Sequence, residues 1–117
     1  MGSPVFDISE RQVGSVTILF MVGPLTSTGG KPALIQKINA VVGAGRAKLL
    51  LDCSGVNQID SEGIEALVRG LTTAQKKGGT LKLLNLTPPV QRVLTALAMM
   101  KVFETFTDEA AALASFS

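Results

Sequence analysis

One hydroxyl in this chain stands where it could accept a phosphoryl group. Ser61 lies between Asp60 and Glu62 and is followed by Gly63. Beyond Gly63, apolar residues recur at the i, i+3, i+4 and i+7 spacing of one helix face, which places Ser61 in the first turn of a predicted helix. The first backbone N–H groups of a helix have no internal partner, and the helix dipole is positive there. This segment is therefore a favourable place for an added negative charge.

Ser61 also has a purely structural interpretation. Ser and Asp are preferred N-caps, whose side chains accept a hydrogen bond from an unpaired N–H group, worth about 1 kcal/mol. Either Asp60 or Ser61 suits that role. As a phosphoacceptor, Ser61 would instead gain about 1.5 to 2 negative charges and three strong acceptor oxygens. Residue types alone leave both interpretations open.

Acidic residues concentrate around Ser61. No Asp or Glu occurs between residues 11 and 51, whereas four occur within residues 52–65. They are Asp52, Asp60, Glu62 and Glu65. Acids in a first helical turn commonly just complement the dipole, which favours an anion by about 0.3 to 2 kcal/mol. Two unit charges about 6 Å apart repel by roughly 3 kcal/mol at an effective dielectric of about 20, before salt screening. We therefore expect the domain to tolerate a phosphate on Ser61 and a docked partner to tolerate it poorly.

The composition is that of one globular domain over residues 1–117, with residues 1–3 interpreted as a disordered or cloning-derived terminus. Hydrophobic residues make up 46% of the chain and aromatic residues 4%, so aliphatic side chains must fill the core. Histidine, the usual general base at neutral pH and the commonest metal ligand, is absent. We therefore predict a protein that is not an enzyme and uses no metal or cofactor. The single cysteine, Cys53, is predicted to be a small buried hydrophobe.

Charge and hydropathy predict the compartment. The net charge is +2 and the basic residues are scattered, unlike the clustered Lys and Arg of a nucleic-acid footprint. No apolar run approaches the roughly 18 residues that a membrane span needs, and no signal-peptide pattern opens the chain. A lone cysteine suits a reducing compartment. The sequence thus predicts a cytoplasmic protein that binds no nucleic acid and inserts into no membrane.

Hydrophobic periodicity predicts the order β-β-α-β-α-β-α, followed by a short strand or turn and a closing helix. Successive strand-helix-strand units in one sheet imply right-handed parallel crossovers. We predict an α/β fold with a mixed sheet of four to five strands flanked by about four helices. The predicted strands cover residues 5–10, 16–22, 48–53 and 80–84, with turns at 12–14, 23–24 and 54–58. The predicted helices begin near Lys31, Ser61, Pro88 and Thr107 or Asp108, and the third buries Val90, Val93, Leu94 and Leu97.

Two other phosphate-related sites fit the residues poorly. Gly29 and Gly30 before Lys31 invite comparison with a P-loop, but Leu25 and Pro32 occupy positions that need Gly and Ser or Thr. Asp52, at a predicted strand end, suggests a phosphoaspartate receiver. Such a domain needs an acidic pair after its first strand. No acidic residue occurs from Val16 until Asp52 itself.

The stretch LLLDCSGVNQIDSEGIEAL, residues 49–67, resembles the signature of STAS domains, the anti-sigma factor antagonist family. That signature is an aliphatic strand ending in Asp, a short turn, and then Asp-Ser-small-Gly at a helix start. The similarity continues in GPLT at 23–26, KKGGTLKLLNLTPPVQRVLTALAMMKVFE at 76–104 and DEAAALASF at 108–116. The resemblance therefore covers nearly the whole chain.

The resemblance implies a bacterial regulator that binds an anti-sigma factor with serine-kinase activity, releases the sigma factor and is inactivated when Ser61 is phosphorylated. A phosphatase is a further candidate partner, and a monomer or weak dimer is expected. Glu62 stands where the family usually has Ser, Ala or Thr, so its carboxylate either weakens kinase recognition or already supplies part of the added charge. The implied partner-binding residues are Asp52, Asp60, Ser61, Glu62, Gly63, Ile64 and Glu65.

A second interpretation comes from a different class of protein. A STAS-like scaffold that is never phosphorylated would serve as a subunit of a signalling complex or of a lipid transporter. It would recognise its partner through Met99, Met100 and Phe103, and Ser61 would be only a helix cap.

Overall fold

The computed structural model describes residues 5–117, which form a five-stranded mixed sheet flanked by helices. The spatial order of the strands follows the chain, with β1 antiparallel to β2 and the remaining neighbours parallel. This confirms the predicted fold class. The elements are β1 (Asp7–Val13), β2 (Val16–Leu25), α1 (Lys31–Gly43), β3 (Lys48–Ile59), α2 (Ser61–Lys76), β4 (Thr80–Leu84), α3 (Pro88–Ala96), β5 (Thr105–Phe106) and α4 (Glu109–Ala114). The expectation for residues 1–3 lies outside the described residues.

Side chains that alternate along the central strand β3 enter two separate cores. Leu49, Leu51 and Cys53 belong to the larger core, which α1, α2 and α3 cover, whereas Leu50 belongs to a smaller one beneath α4. Burial raises the pKa of the Cys53 thiol to about 12. The thiol therefore stays protonated and packs as a small hydrophobe, as the sequence predicts.

Strands β2 and β3 are longer than predicted, and the predicted stop at Gly23 and Pro24 and the predicted turn at residues 54–58 are wrong. The two strands continue together until Leu25 pairs with Ile59. Two register shifts, between Phe20 and Val22 and between Val22 and Pro24, interrupt this pairing, and at each of them β3 has one residue more than β2. Gly23 has a φ of 107°, which glycine tolerates. Pro24 lacks an N–H group, and such an irregularity is where a strand accepts proline. Gly-Pro therefore lies within this strand and does not end it.

The other bounds are closer to the prediction. β4 covers the predicted residues, and α1 begins at Lys31 with proline in its first turn. β1 is displaced towards the C-terminus and ends at Val13, so the turn predicted at residues 12–14 begins only at Gly14. Asp108, not Thr107, caps α4 by accepting a hydrogen bond from the Ala111 N–H at 2.9 Å. No helix within residues 5–117 has the length and apolarity that crossing a bilayer requires.

The third helix buries less than predicted. Val90 and Leu94 are buried, and Val93 is half-buried against the larger core. Leu97, predicted on the same face, is 45% exposed because α3 ends at Ala96 and Leu97 is its C-cap. This leaves an apolar side chain at the surface, facing a groove described below.

Candidate functional site

Ser61 is the first residue of α2, and its side chain is exposed. The N-cap is Asp60, whose backbone is still extended after β3 and whose Oδ1 accepts a hydrogen bond from the Gly63 N–H at 3.0 Å. Of the two N-cap candidates in the sequence, Asp60 and Ser61, Asp60 is therefore the one that caps α2. The Ser61 hydroxyl lies outside the capping hydrogen bond, and modifying it would leave that bond in place.

Gly63 allows the start of α2 to lie against the end of β2. A Cβ atom at this position would be 2.1 Å from the Leu25 carbonyl oxygen and 2.8 Å from Ile59 Cγ1. Further along α2, a Cβ atom on Gly70 would be 2.6 Å from Ile38 Cδ1, so this helix approaches α1 closely as well. Sequence periodicity identifies the large apolar residues of α2 but not these small buried ones. These two glycines let α2, and Ser61 with it, lie directly against the end of β2 and against α1.

A lysine from another helix neutralises part of the acidic neighbourhood. Lys31 Nζ, at the start of α1, donates to Glu62 Oε1 at 2.5 Å and also to Glu65 Oε1. Hydrogen bonds to Glu62 and then to Glu65 raise the pKa of Lys31, and the bond from Lys31 lowers the pKa of Glu65. Arg69 lies 3.8 Å from the same Glu65 oxygen, one helical turn on. Sequence reasoning considered Lys31 only as a P-loop lysine and missed this bridge.

The signal that could have identified Lys31 is topological. In successive right-handed strand-helix-strand units, neighbouring helices cover the same sheet face. Lys31 opens α1 and Glu62 lies in the first turn of α2, so both side chains lie at the end of the sheet where the parallel strands finish. A lone cation at one helix start and a pair of acids at the next therefore suggest an ion pair.

Asp52 does not join this cluster. It alternates with residues of the larger core and so shares the sheet face of Leu50, and its Oδ1 accepts from the Ser54 N–H at 3.0 Å. Asp52 pairs with Phe20 and Ile59 pairs with Leu25, so at about 3.3 Å per strand residue along β2 Asp52 lies more than about 15 Å from Asp60. The structure thus brings residues 60–65 together and leaves Asp52 apart from them. Among residues 5–117, no three His, Cys, Asp or Glu side chains form a group suited to a metal ion.

Beside Ser61, a shallow groove of about 380 Å³ runs between α2 and the end of α3. Its lining residues are Ser61, Ile64, Glu65, Val68, Leu97 and Met99. Ser61 and Glu65 supply its polar edge, while the remaining four side chains are apolar. Within the predicted partner-binding set, Gly63 and Ile64 are buried, whereas Ser61, Glu62 and Glu65 are exposed. A larger depression of about 610 Å³ along α3 is not lined by Ser61 or by either glutamate.

The recognition patch of the scaffold interpretation is not continuous. Phe103 is 5% exposed and packs in the larger core, so its prediction as a partner contact is wrong. Met100 lines a different depression, next to Phe106. Of the three residues, only Met99 lines the groove beside Ser61.

Comparison with known proteins agrees with the architecture. The STAS domain model matches residues 7–112, and no curated protein sequence matches the chain. An anti-sigma factor antagonist from Mycobacterium paratuberculosis is 22% identical with a TM-score of 0.82, over 95% of this chain and 93% of that chain. An anti-sigma factor antagonist (STAS) domain protein from Planctomyces limnophilus is 26% identical with a TM-score of 0.79, over 95% of this chain and 99% of that chain. The Bacillus cell fate determinant SpoIIAA in its phosphorylated form is 15% identical with a TM-score of 0.72, over 97% of this chain and 100% of that chain. The chain belongs to the STAS domain family.

Proposed function

We propose that this STAS domain is an anti-sigma factor antagonist that acts by binding, without catalysis, in the bacterial cytoplasm. Its partner is an anti-sigma factor with serine-kinase activity, which it engages through the start of α2 and the adjoining groove. Engagement releases the sigma factor. Phosphorylation of Ser61 by the same kinase ends the interaction, and a phosphatase restores it.

The observation that carries this proposal is the separation of roles between Asp60 and Ser61. Asp60 supplies the cap, and Ser61 presents an exposed hydroxyl at the positive end of α2. A kinase can therefore modify Ser61 without removing a hydrogen bond that holds the helix start. The fold itself is compatible with such chemistry, since SpoIIAA, which shares it, has been solved in a phosphorylated form.

The position of Ser61 explains why a phosphate would act on binding more than on folding. In the free domain, water solvates the added charge. A partner seated on the groove of Ile64, Val68, Leu97 and Met99 would have to desolvate the phosphate, which costs several kcal/mol when no matching cation is provided. Each 1.4 kcal/mol lowers affinity about tenfold.

The direct test is phosphate transfer by the partner. The Ser61→Ala variant serves as bait to isolate the kinase, which is then incubated with ATP and the wild-type chain, and phosphate is located by mass spectrometry. Phosphate on Ser61 supports the proposal. The matched control is Ser27→Ala, which removes an exposed serine in the loop before α1 and should leave the transfer unchanged. If other hydroxyl groups were phosphorylated while Ser61 stayed unmodified, the proposed function would be contradicted.

The groove also favours a second candidate, the unphosphorylated scaffold subunit of a signalling complex or lipid transporter. Leu97 and Met99 offer apolar contacts that do not depend on the state of Ser61. Two variants separate the candidates by their affinity for a recovered partner. Under the scaffold function Leu97→Asp abolishes binding and Ser61→Asp leaves it unchanged, whereas under the antagonist function both variants weaken it.

A further inference from the structure

Lys31 is placed to respond to a charge on Ser61. Ser61 and Glu65 lie four positions apart on α2, so they are neighbours on one helix face with about 6 Å between their Cβ atoms. Lys31 Nζ is hydrogen-bonded to Glu65, and its side chain is only 17% exposed. A phosphoryl group on Ser61 would therefore lie one helical turn from a carboxylate that already holds a cation largely covered by its neighbours.

We propose that Lys31 is the counter-ion of phosphorylated Ser61, and that its ammonium moves from Glu65 to the phosphate when Ser61 is modified. The inference rests on the proposed function and assigns the residue that couples the modification to the docking surface. The exchange has two consequences at the groove. It compensates part of the phosphate charge, and it releases a Glu65 carboxylate that lines the groove.

The arrangement of charges makes the exchange favourable. A phosphate carries about twice the charge of a carboxylate and competes well for one ammonium group. Lysine has three rotatable donors on a flexible stem, so Lys31 can keep Glu62 while it binds the phosphate. The released Glu65 has a second cation available, because Arg69 already lies 3.8 Å from its Oε1. Glu65 is therefore the carboxylate that Lys31 gives up.

The first test uses unfolding of the whole chain by urea and requires no partner. Phosphoserine is incorporated at position 61 during translation, in the wild type, in Lys31→Gln and in Lys37→Gln, because an Asp there would carry only about half the charge of a phosphate. Lys37 is a matched control because it lies on the same helix but pairs with Glu10, at 2.9 Å. We expect phosphoserine at position 61 to shift the unfolding equilibrium about threefold further towards unfolding in Lys31→Gln than in the other two backgrounds. An equal shift in all three backgrounds would overturn the proposal.

The second test separates exchange from simple attraction through space. The coupling between Lys31→Gln and Glu65→Gln is measured by a double-mutant cycle, once with Ser61 and once with phosphoserine at position 61. Exchange predicts that this coupling falls about twofold or more in the second background, because Lys31 has left Glu65. An unchanged or larger coupling would show that Lys31 stays with Glu65.

The two readouts are independent of the proposed function. If no kinase modified Ser61, the unfolding cycles would still show whether Lys31 interacts with a charge at position 61. If partner affinity depended on Ser61 but the cycles showed no coupling, the antagonist function would stand and the role of Lys31 would fall.

Discussion

Two lysines on opposite faces of the sheet illustrate how the same side chain can fix a fold or respond to a charge. Lys82, on β4, is 5% exposed and donates to the Ser115 carbonyl and hydroxyl oxygens at 3.0 and 2.9 Å. Its ammonium also lies 4.6 Å from the centre of the Phe116 ring. These partners belong to the C-terminal end of α4 and just beyond it. Lys82 therefore ties that end of the chain to the sheet.

Lys82 also reaches one exposed carboxylate, that of Glu104 at 3.4 Å, whereas Lys31, on the other face, has two hydrogen-bond partners among the described residues and neither is a backbone group. Both are side-chain carboxylates, and each is about half exposed, at 48% for Glu62 and 50% for Glu65. Because exposed carboxylates can turn into water, Lys31 can change partner without disturbing the backbone. The comparison teaches that a buried lysine bonded to a backbone carbonyl oxygen maintains the fold, whereas a lysine bonded to exposed acids can report a new charge.

The largest expected effect concerns the close contact between the start of α2 and the end of β2. Gly63→Ala would place Cβ against the Leu25 carbonyl oxygen, and we expect a loss of about 3 kcal/mol in the free energy of unfolding. Gly43→Ala is the matched control, since nothing lies within 4 Å of its added Cβ. Urea unfolding measures both. Equal stability of the two variants would mean that α2 can shift freely, and that Ser61 is not held in place.

A smaller loss in the free energy of unfolding is expected when Lys82 is substituted. Lys82→Ala removes charge-assisted hydrogen bonds and a contact with Phe116, so unfolding should become easier by about 2 kcal/mol. Lys77→Ala, at an exposed position after α2, is the control and should be nearly neutral. If Lys82→Ala were as stable as this control, Lys82 would not anchor the C-terminus and the contrast with Lys31 would fail.

The smallest effect is the pH dependence of the Lys31 cluster. The pKa of Glu65 is lowered in the folded protein, so its contribution to stability is present above its ordinary value of 4.5 and is lost as the pH falls through the lowered value. The pKa of Lys31 is raised, so its contribution is present below 10.5 and is lost as the pH rises through the raised value. Wild type and Lys31→Gln should therefore differ in stability near neutral pH and converge in acid.

The measurement is urea unfolding at about pH 7 and about pH 3. Lys101→Gln, an exposed substitution outside the cluster, controls for loss of one positive charge. A wild-type advantage over Lys31→Gln that persisted at the acidic pH would mean that the carboxylates do not stabilise Lys31.

The fold was largely predictable because its elements carry strong local signals. The run Leu49 to Leu51, the helical spacing after Gly63 and the glycines that end α1 each identify an element without tertiary information. The extension of β2 through Pro24 was not predictable in this way. Gly-Pro is a turn signal locally, and only the pairing of β2 with β3 overrides it.

The site was predictable in part for the same reason. Ser61 could be placed because a helix start is a local feature. The Lys31 bridge joins residues 31 positions apart, and local periodicity carries no information about such a pair. The sequence groups Asp52 with Ser61 because it predicts a turn after Cys53, but the strand continues to Ile59 and separates them.

The most direct test of the proposed switch is calorimetric titration of the recovered anti-sigma factor kinase into the wild type, Ser61→Ala and Ser61→Asp. We predict that Ser61→Asp lowers affinity about tenfold or more, that Ser61→Ala binds as the wild type does, and that all three melt at similar temperatures. Equal affinity of Ser61→Asp and wild type would contradict the account, because charge at the start of α2 would then not control docking.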